Sequence, residues 1–191
     1  MKKKKNIYIA LAIKLYHMLQ KYNRYKILQE FFDFPTKGFL MRELSRRTRI
    51  AQPSVINHLK ALIKEGLIVK EEAKPYPVFK ANRENEIFKI LKIFNLILRI
   101  KTSGLLDYIY DSVFPDVIIL FGSCVKGEDI ENSDIDLFVQ AKEKKLNLIK
   151  YEKLLNRKIS LFFEENFLRL SKELKNNIIN GIILRGYIKV F

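Results

Sequence analysis

Helical and extended spacings alternate along this chain, and the changes between them mark its elements. Residues 7–22 set Ile9, Ile13, Tyr16 and Leu19 on one side of a helix. Residues 24–34 read as a second helix, stopped by Pro35 and Gly38. A short helix over 40–47 and a turn at 49–52 follow. Pro53 then suits the first position of a helix whose stripe is Val55, Leu59 and Leu62, ending at Gly66. Residues 67–81 read as two short strands around a proline-containing loop. Residues 84–101 give a helix with Ile87, Leu91, Phe94 and Leu98 on one side, broken by Thr102, Ser103 and Gly104. A short helix over 105–110 precedes Pro115 and a buried strand over 117–121. Further strands are expected over 135–139, 157–163 and near 181–190. Helices are expected over 143–156 and over 167–179, the latter carrying Phe167, Leu170, Leu174 and Ile178.

Short helix, tight turn, helix and hairpin in succession predict a winged helix-turn-helix. With Val55, Leu59 and Leu62 packed inward, Gln52, Ser54, Asn57, His58 and Lys60 form the outer face offered to a major groove. Arg46, Arg47, Arg49, Lys70, Lys74 and Lys80 are candidates for phosphate contacts. The charge distribution strengthens this reading. The formal net charge is +15, and residues 1–110 hold +14 of it (23 Lys and Arg against 9 Asp and Glu). Residues 111–191 hold +1 (13 against 12). Such asymmetry points to a polyanion, here double-stranded DNA.

Composition also excludes classes. Hydrophobic residues make up 48% of the chain, enough for folded cores. No apolar run reaches membrane-spanning length, so no membrane partner is expected. The lysine-led first residues lack a small-residue cleavage site and read as a basic arm. Cys124 is the single cysteine, which excludes an internal disulfide and fits a reducing, cytoplasmic setting. With only His17 and His58, no histidine metal cluster can form.

The densest chemistry lies in ILFGSCVKGEDIENSDIDLFVQ, residues 119–140. A buried strand runs into Gly122-Ser123, where glycine permits a sharp turn and close backbone approach to a ligand. Helical N–H groups beginning near Ser123, together with its hydroxyl, suit a phosphate. Lys126 adds positive potential and Gly127 ends or bends the element. In the next strand Ile135, Leu137 and Val139 face one way, so Asp134 and Asp136 share the other face. Two carboxylates that close repel unless one is protonated or a cation lies between them. Magnesium, bound through carboxylates, waters and phosphates, answers that need. Metal-assisted phosphoryl or nucleotidyl transfer is the implied chemistry. Cys124, inside the turn, reads as a small packed residue, with a helix-activated thiolate as the alternative.

FGSCVKGEDIENSDIDLFV resembles the signature of the polymerase-beta-type nucleotidyltransferase superfamily, a Gly-Ser turn followed by Asp-x-Asp on a strand. Residues 27–68 resemble the winged helix fused to minimal transferases in an archaeal architecture. The resemblance implies an α+β chain. Its expected parts are an N-terminal winged helix-turn-helix domain with a basic arm (1–83), a helical connector (84–110) and a C-terminal polymerase-beta-like nucleotidyltransferase domain with a mixed sheet (111–191). It also implies that the Gly122-Ser123 turn holds a nucleoside triphosphate, beside which Lys126 and Gly127 are read as further nucleotide-binding residues, that Asp134 and Asp136 bind Mg2+, and that a third carboxylate on a later strand helps deprotonate the attacking hydroxyl.

That third carboxylate is where the pattern breaks. The strand over 157–163 contains no acid, and Ser160 stands near the expected place. Glu164 has the right parity but reaches the site only if the strand runs long or bends; otherwise it caps or faces solvent. Arg185 is either structural or near a nucleotide. The leading expectation is a magnesium-dependent nucleotidyltransferase-like protein moving a nucleoside monophosphate from a triphosphate to a hydroxyl. The alternative is a transcriptional regulator, or a toxin–antitoxin component, whose transferase domain is weak or inactive. The family resemblance adds a small helical protein as a partner, and a homodimer is the other assembly considered.

Overall fold

The computed structural model describes residues 22–189 together with residues 14, 15, 18 and 19. The expected helix over 7–22, His17 and the basic arm therefore fall outside the described residues, wholly or in large part.

The N-terminal part is helical. Helix α1 (Asn23–Asp33) buries Ile27, Leu28, Phe31 and Phe32. Helices α2 (Met41–Thr48) and α3 (Gln52–Lys64) form the helix-turn-helix. Arg49 ends α2 in the left-handed region (φ 57°) and starts the turn, while proline opens α3. Val55, Leu59 and Leu62 of α3 are buried as the pattern required. Strands β1 (Ile68–Glu71) and β2 (Val78–Ala81) pair antiparallel, and Phe39 bridges to Phe79 alongside them. One core joins these elements, with Phe31, Leu44, Val55 and Leu62 at 0% exposure. Each such side chain contributes about 1.5–3 kcal/mol of transfer free energy.

The connector is helix α4 (Glu86–Thr102), capped by the Asn85 side chain, which accepts from Phe88 N–H. Its buried series is Phe88, Lys92, Leu96 and Ile100 at i+4 spacing, joined by Asn95 and Leu98. The expected face is corrected here: Ile87 and Phe94 are exposed, and Leu98 alone of that set is buried. Apolar residues surround this helix, so periodicity could not select a side. Phe88 belongs to the first core and Leu96 and Ile100 to the second.

After α5 (Leu105–Val113) the chain builds a four-stranded mixed sheet from β3 (Val117–Phe121), β4 (Ile135–Val139), β5 (Ile159–Phe163) and β6 (Ile182–Gly186). The order is β5-β4-β3-β6, with β4 and β5 parallel and the other pairs antiparallel. Ile118, Leu120, Ile135, Leu137 and Val139 pack on one face with residues of α4, α5 and α6 (Ile149–Leu155). Val117, Ile119 and Phe138 pack on the other with Phe167, Leu170 and Ile178. The chain is thus α+β, helical first and sheet-based second.

Two expected helices are shorter than their spacing suggested. Residues 142–148 are not helical. The Asn147 side chain accepts from Ile149 N–H and starts α6 there, while the Tyr108 hydroxyl accepts from Asn147 N–H. Residues 167–179 split into a 3-10 turn (Phe167–Arg169) and α7 (Lys172–Ile179). Asn166 and Ser171 each accept from a backbone N–H two or three residues on, so each begins its own element. No helix among the described residues is long and apolar enough to cross a membrane.

Candidate nucleotide and nucleic-acid sites

The Gly-Ser turn and the paired aspartates come together at one edge of the sheet. Strand β3 runs straight into a single 3-10 turn, Gly122–Val125, rather than a longer helix. Gly122 has φ +77°, where side chains are disfavoured. A Cβ built on it would lie 2.6 Å from Asp136 Oδ2. The turn therefore closes directly over the carboxylate because it carries no side chain there. The Ser123 hydroxyl has no hydrogen-bond partner among the described residues, and Lys126, exposed, caps the turn through its N–H to Ser123 O at 3.2 Å. The Cys124 thiol donates to Asp134 O at 3.4 Å and ties the turn to the start of β4. Burial pushes that thiol up to about 12, so the activated thiolate considered from sequence is excluded.

Asp136 is half-buried and Asp134 is exposed. Burial, and then the neighbouring Asp134 charge, raise the Asp136 carboxyl above its ordinary value. The sign follows from proton counting. Between the ordinary and the raised value the folded state holds the proton more tightly, so stability falls as pH rises through that interval. In metal-free protein, Asp136→Asn removes this penalty. The expected result is a gain at pH 7, kept below about 1 kcal/mol by solvent screening, that disappears below the ordinary aspartate range. Thermal unfolding of both proteins across pH checks it; a mutant less stable at pH 7 contradicts the repulsion.

The register of β4 against β5 bears on the third acid. Asp136 is flanked by Phe121 on β3 and by Ser160 on β5. Ser160 is exposed and its hydroxyl has no partner among the described residues. Glu164 is not brought to the pair. It lies past the far end of β5, where its N–H donates to Val139 O and its Oε1 accepts from Asn166 N–H at 2.9 Å. Four strand residues, about 13 Å, separate it from the level of Ser160. Of the two expectations for Glu164, catalytic acid or cap, these contacts fit the cap. Among the described residues no group of three or more His, Cys, Asp or Glu could hold a metal. Asp134 and Asp136 are the two carboxylates here that could share a hard cation with phosphate oxygens.

Gly127 bends the chain just past the turn, as expected of it. Its φ is +69°, and a Cβ there would lie 2.9 Å from Lys89 Cβ and 3.0 Å from Lys89 backbone. It lets the loop after the turn seat on α4. Beneath that loop lies a cluster the sequence reading missed. Asp129, 3% exposed, pairs with Lys92 of α4 at 2.9 Å and with Arg157 at 2.8 Å. Lys92 also donates to the carbonyls of Gly127 and Asp129, and Arg157 donates to Ser133 O. Burial lowers the Lys92 pKa, and Asp129 opposes that shift. A lysine inside the Phe88–Leu96–Ile100 series was the legible signal. Other polar groups of α4 reach the first core: Tyr25 donates to Asn95, and Arg99 pairs with Asp33 while donating to the carbonyls of Leu154 and Leu155. Thr36 donates to Glu131 across the same junction. Arg185 is held by Asp107 and Leu106 O and lies over the Tyr110 ring, a structural arrangement.

On the helix-turn-helix, Gln52, Asn57 and Lys60 are exposed on α3, and Ser54 and His58 are half-buried. Arg47 is not a free cation. It pairs with Glu30 and its guanidinium lies over the Phe34 and Phe39 rings, 4.6 and 5.7 Å from their centroids. Lys70 pairs with Glu72 and Lys80 with Glu71. Arg46, Arg49, Lys60 and Lys74 have no ion-pair partner among the described residues. Ile56, 38% exposed, adds an apolar residue to the outer face that the sequence reading did not place there.

Comparison with known proteins agrees with this division. Residues 105–188 match the family described as Polymerase beta, Nucleotidyltransferase. Residues 40–70 match the family described as Bacterial regulatory protein, arsR family. The chain thus joins a nucleotidyltransferase-like domain to a regulatory helix-turn-helix. No curated protein and no solved structure gives a significant match to it.

Proposed function

We propose that the chain is a DNA-binding regulator whose C-terminal domain holds magnesium and a nucleoside triphosphate but transfers nucleotides weakly or not at all. The observation that carries the reading is Ser160 opposite Asp136, where a third carboxylate is needed. Asp134 and Asp136 would share one Mg2+ with the triphosphate. Ser123 and the backbone of the 3-10 turn would take phosphate oxygens, with Lys126 adding positive potential. Such a site binds substrate well, but the attacking hydroxyl lacks a base, since a serine hydroxyl is a poor one at neutral pH. A carboxylate brought by a helical partner protein or by a second copy of the chain would complete it, as in a toxin–antitoxin pair. The DNA side of the reading rests on the +14 excess of residues 1–110 and on Arg46, Arg49, Lys60 and Lys74, which lack an ion-pair partner among the described residues.

A contrary reading, an active transferase of nucleoside monophosphate to a hydroxyl, draws on the close approach of Gly122 to Asp136, which sets the Gly-Ser turn beside the paired aspartates. One set of measurements separates the two. Duplex DNA is titrated at several salt concentrations, and nucleotide incorporation is followed with magnesium and each triphosphate. We expect log affinity to fall linearly with log salt, about 0.9 per phosphate contacted, with Arg46→Ala and Arg49→Ala weakening all sequences alike. Incorporation should stay near background. Salt-independent binding, or none at low salt, sinks the regulator; robust incorporation by the isolated chain makes it an enzyme.

A further inference from the structure

Between α2, the outer side of α3 and the β1–β2 hairpin lies a cavity of about 870 Å3. Pockets for small organic molecules span about 300–1,000 Å3 and combine apolar walls with a few charged groups. Leu59 and Phe79, both buried core residues, contribute to its lining, as do Ile56, Ile63, Tyr76 and Pro77. Tyr76 is 54% exposed. Base-edge readout uses single apolar contacts with thymine methyls, and a recessed apolar cleft of this volume exceeds that use. Arg42, Arg46 and Lys60 line the same cavity, and none has a carboxylate partner among the described residues. The Arg42 guanidinium lies over the Tyr76 ring, 5.6 Å from its centroid. The one acid in the lining, Glu43, is already paired with Lys37. Three uncompensated cations beside an apolar cleft select both the charge and the body of an occupant.

The geometry points to a binding site for an amphipathic organic anion, its carboxylate among Arg42, Arg46 and Lys60 and its hydrocarbon or aromatic body against Ile56, Ile63 and Tyr76. A cation is repelled by the same three groups, and a small hydrophilic anion gains nothing from the walls. Arg46, Gln52 and Lys60 belong both to this cavity and to the face assigned above to DNA. Ligand and duplex therefore compete for them, which would make the anion an effector of DNA binding.

Calorimetric titration of the full chain tests the site with three probes. Decanoate has head and chain, acetate the head alone, and decyltrimethylammonium the same chain with the opposite charge. Decanoate should bind at least tenfold more tightly than either other probe. Ile56→Glu and Tyr76→Ala alter exposed side chains, so the fold should survive, and each should weaken decanoate at least tenfold. Equal affinity for decanoate and decyltrimethylammonium would reveal plain apolar adsorption and overturn the site. Equal affinity for acetate would reduce it to surface charge. Undiminished decanoate binding in both variants would place the ligand elsewhere. Saturating decanoate should also weaken duplex binding at least tenfold, and an unchanged duplex affinity overturns the competition. The calorimetric arm needs no DNA, so its failure is distinguishable from failure of the DNA reading.

Discussion

Asp129→Ala should cost the fold about 3–5 kcal/mol, the usual consequence of stranding buried charge. The carboxylate lies at 3% exposure between Lys92 and Arg157, at 2.9 and 2.8 Å. Removing it leaves two cations in a site closed to water. Lys92 can respond by losing its proton, since burial already lowers its pKa and Asp129 is what opposes the shift. Arg157 cannot, because a guanidinium stays charged throughout the accessible range. A pH dependence follows with a definite sign. In the variant, folded Lys92 holds its proton less tightly than the unfolded chain does. Stability therefore rises as pH climbs from the depressed value towards that of ordinary lysine, and the deficit narrows without closing. Lys92→Met should cost less, because Asp129 keeps Arg157. Urea unfolding of the three proteins at neutral and alkaline pH measures all of this. A loss below about 1 kcal/mol for Asp129→Ala, or a deficit that does not move with pH, would show that water reaches the cluster and that the stranded-charge account is wrong.

Ser160→Asp should raise magnesium affinity at least tenfold, about 1.4 kcal/mol. The β4–β5 register sets residue 160 directly beside Asp136, on the face the two aspartates share. A third carboxylate there supplies the ligand that a second cation lacks and a group able to take a proton from an attacking hydroxyl. The gain has a cost in the absence of metal. Three neighbouring carboxylates repel one another, so the metal-free variant should be less stable than the parent at pH 7 and should recover on adding magnesium. Ser160→Asn keeps the shape without the charge and should do neither. Magnesium calorimetry, thermal unfolding with and without the ion, and nucleotide incorporation read the three effects. If Asn and Asp behave alike, or if affinity does not change, residue 160 does not face the metal position and the account of the broken site fails.

The helix-turn-helix was legible because every step of it is local. Pro53, Gly66 and the Val55–Leu59–Leu62 stripe determine where α3 starts, stops and faces. Strands β3 and β4 were equally clear, since alternation fixes which residues share a face, and with it the pairing of Asp134 and Asp136. The position of a third acid was only half legible. Parity admitted both Ser160 and Glu164, and the choice between them needed the register with β4, which depends on residues far apart in the chain. Helix α4 defeated the pattern altogether. It is apolar on all sides, so its orientation is set by the two cores it joins, and Ile87 and Phe94 ended outside while Lys92 and Asn95 ended inside. Arg47 was assigned by residue type, yet it is spent on Glu30 and two aromatic rings. Most of the elements, the charge asymmetry and the facing of the two aspartates were legible in composition and local spacing, because each is carried by residues or by neighbours only a few positions apart. Which cations lack a partner, the lack of an acid on β5 beside the pair, and what lies buried beneath the loop came from tertiary packing, because those depend on distances between segments that no local spacing encodes.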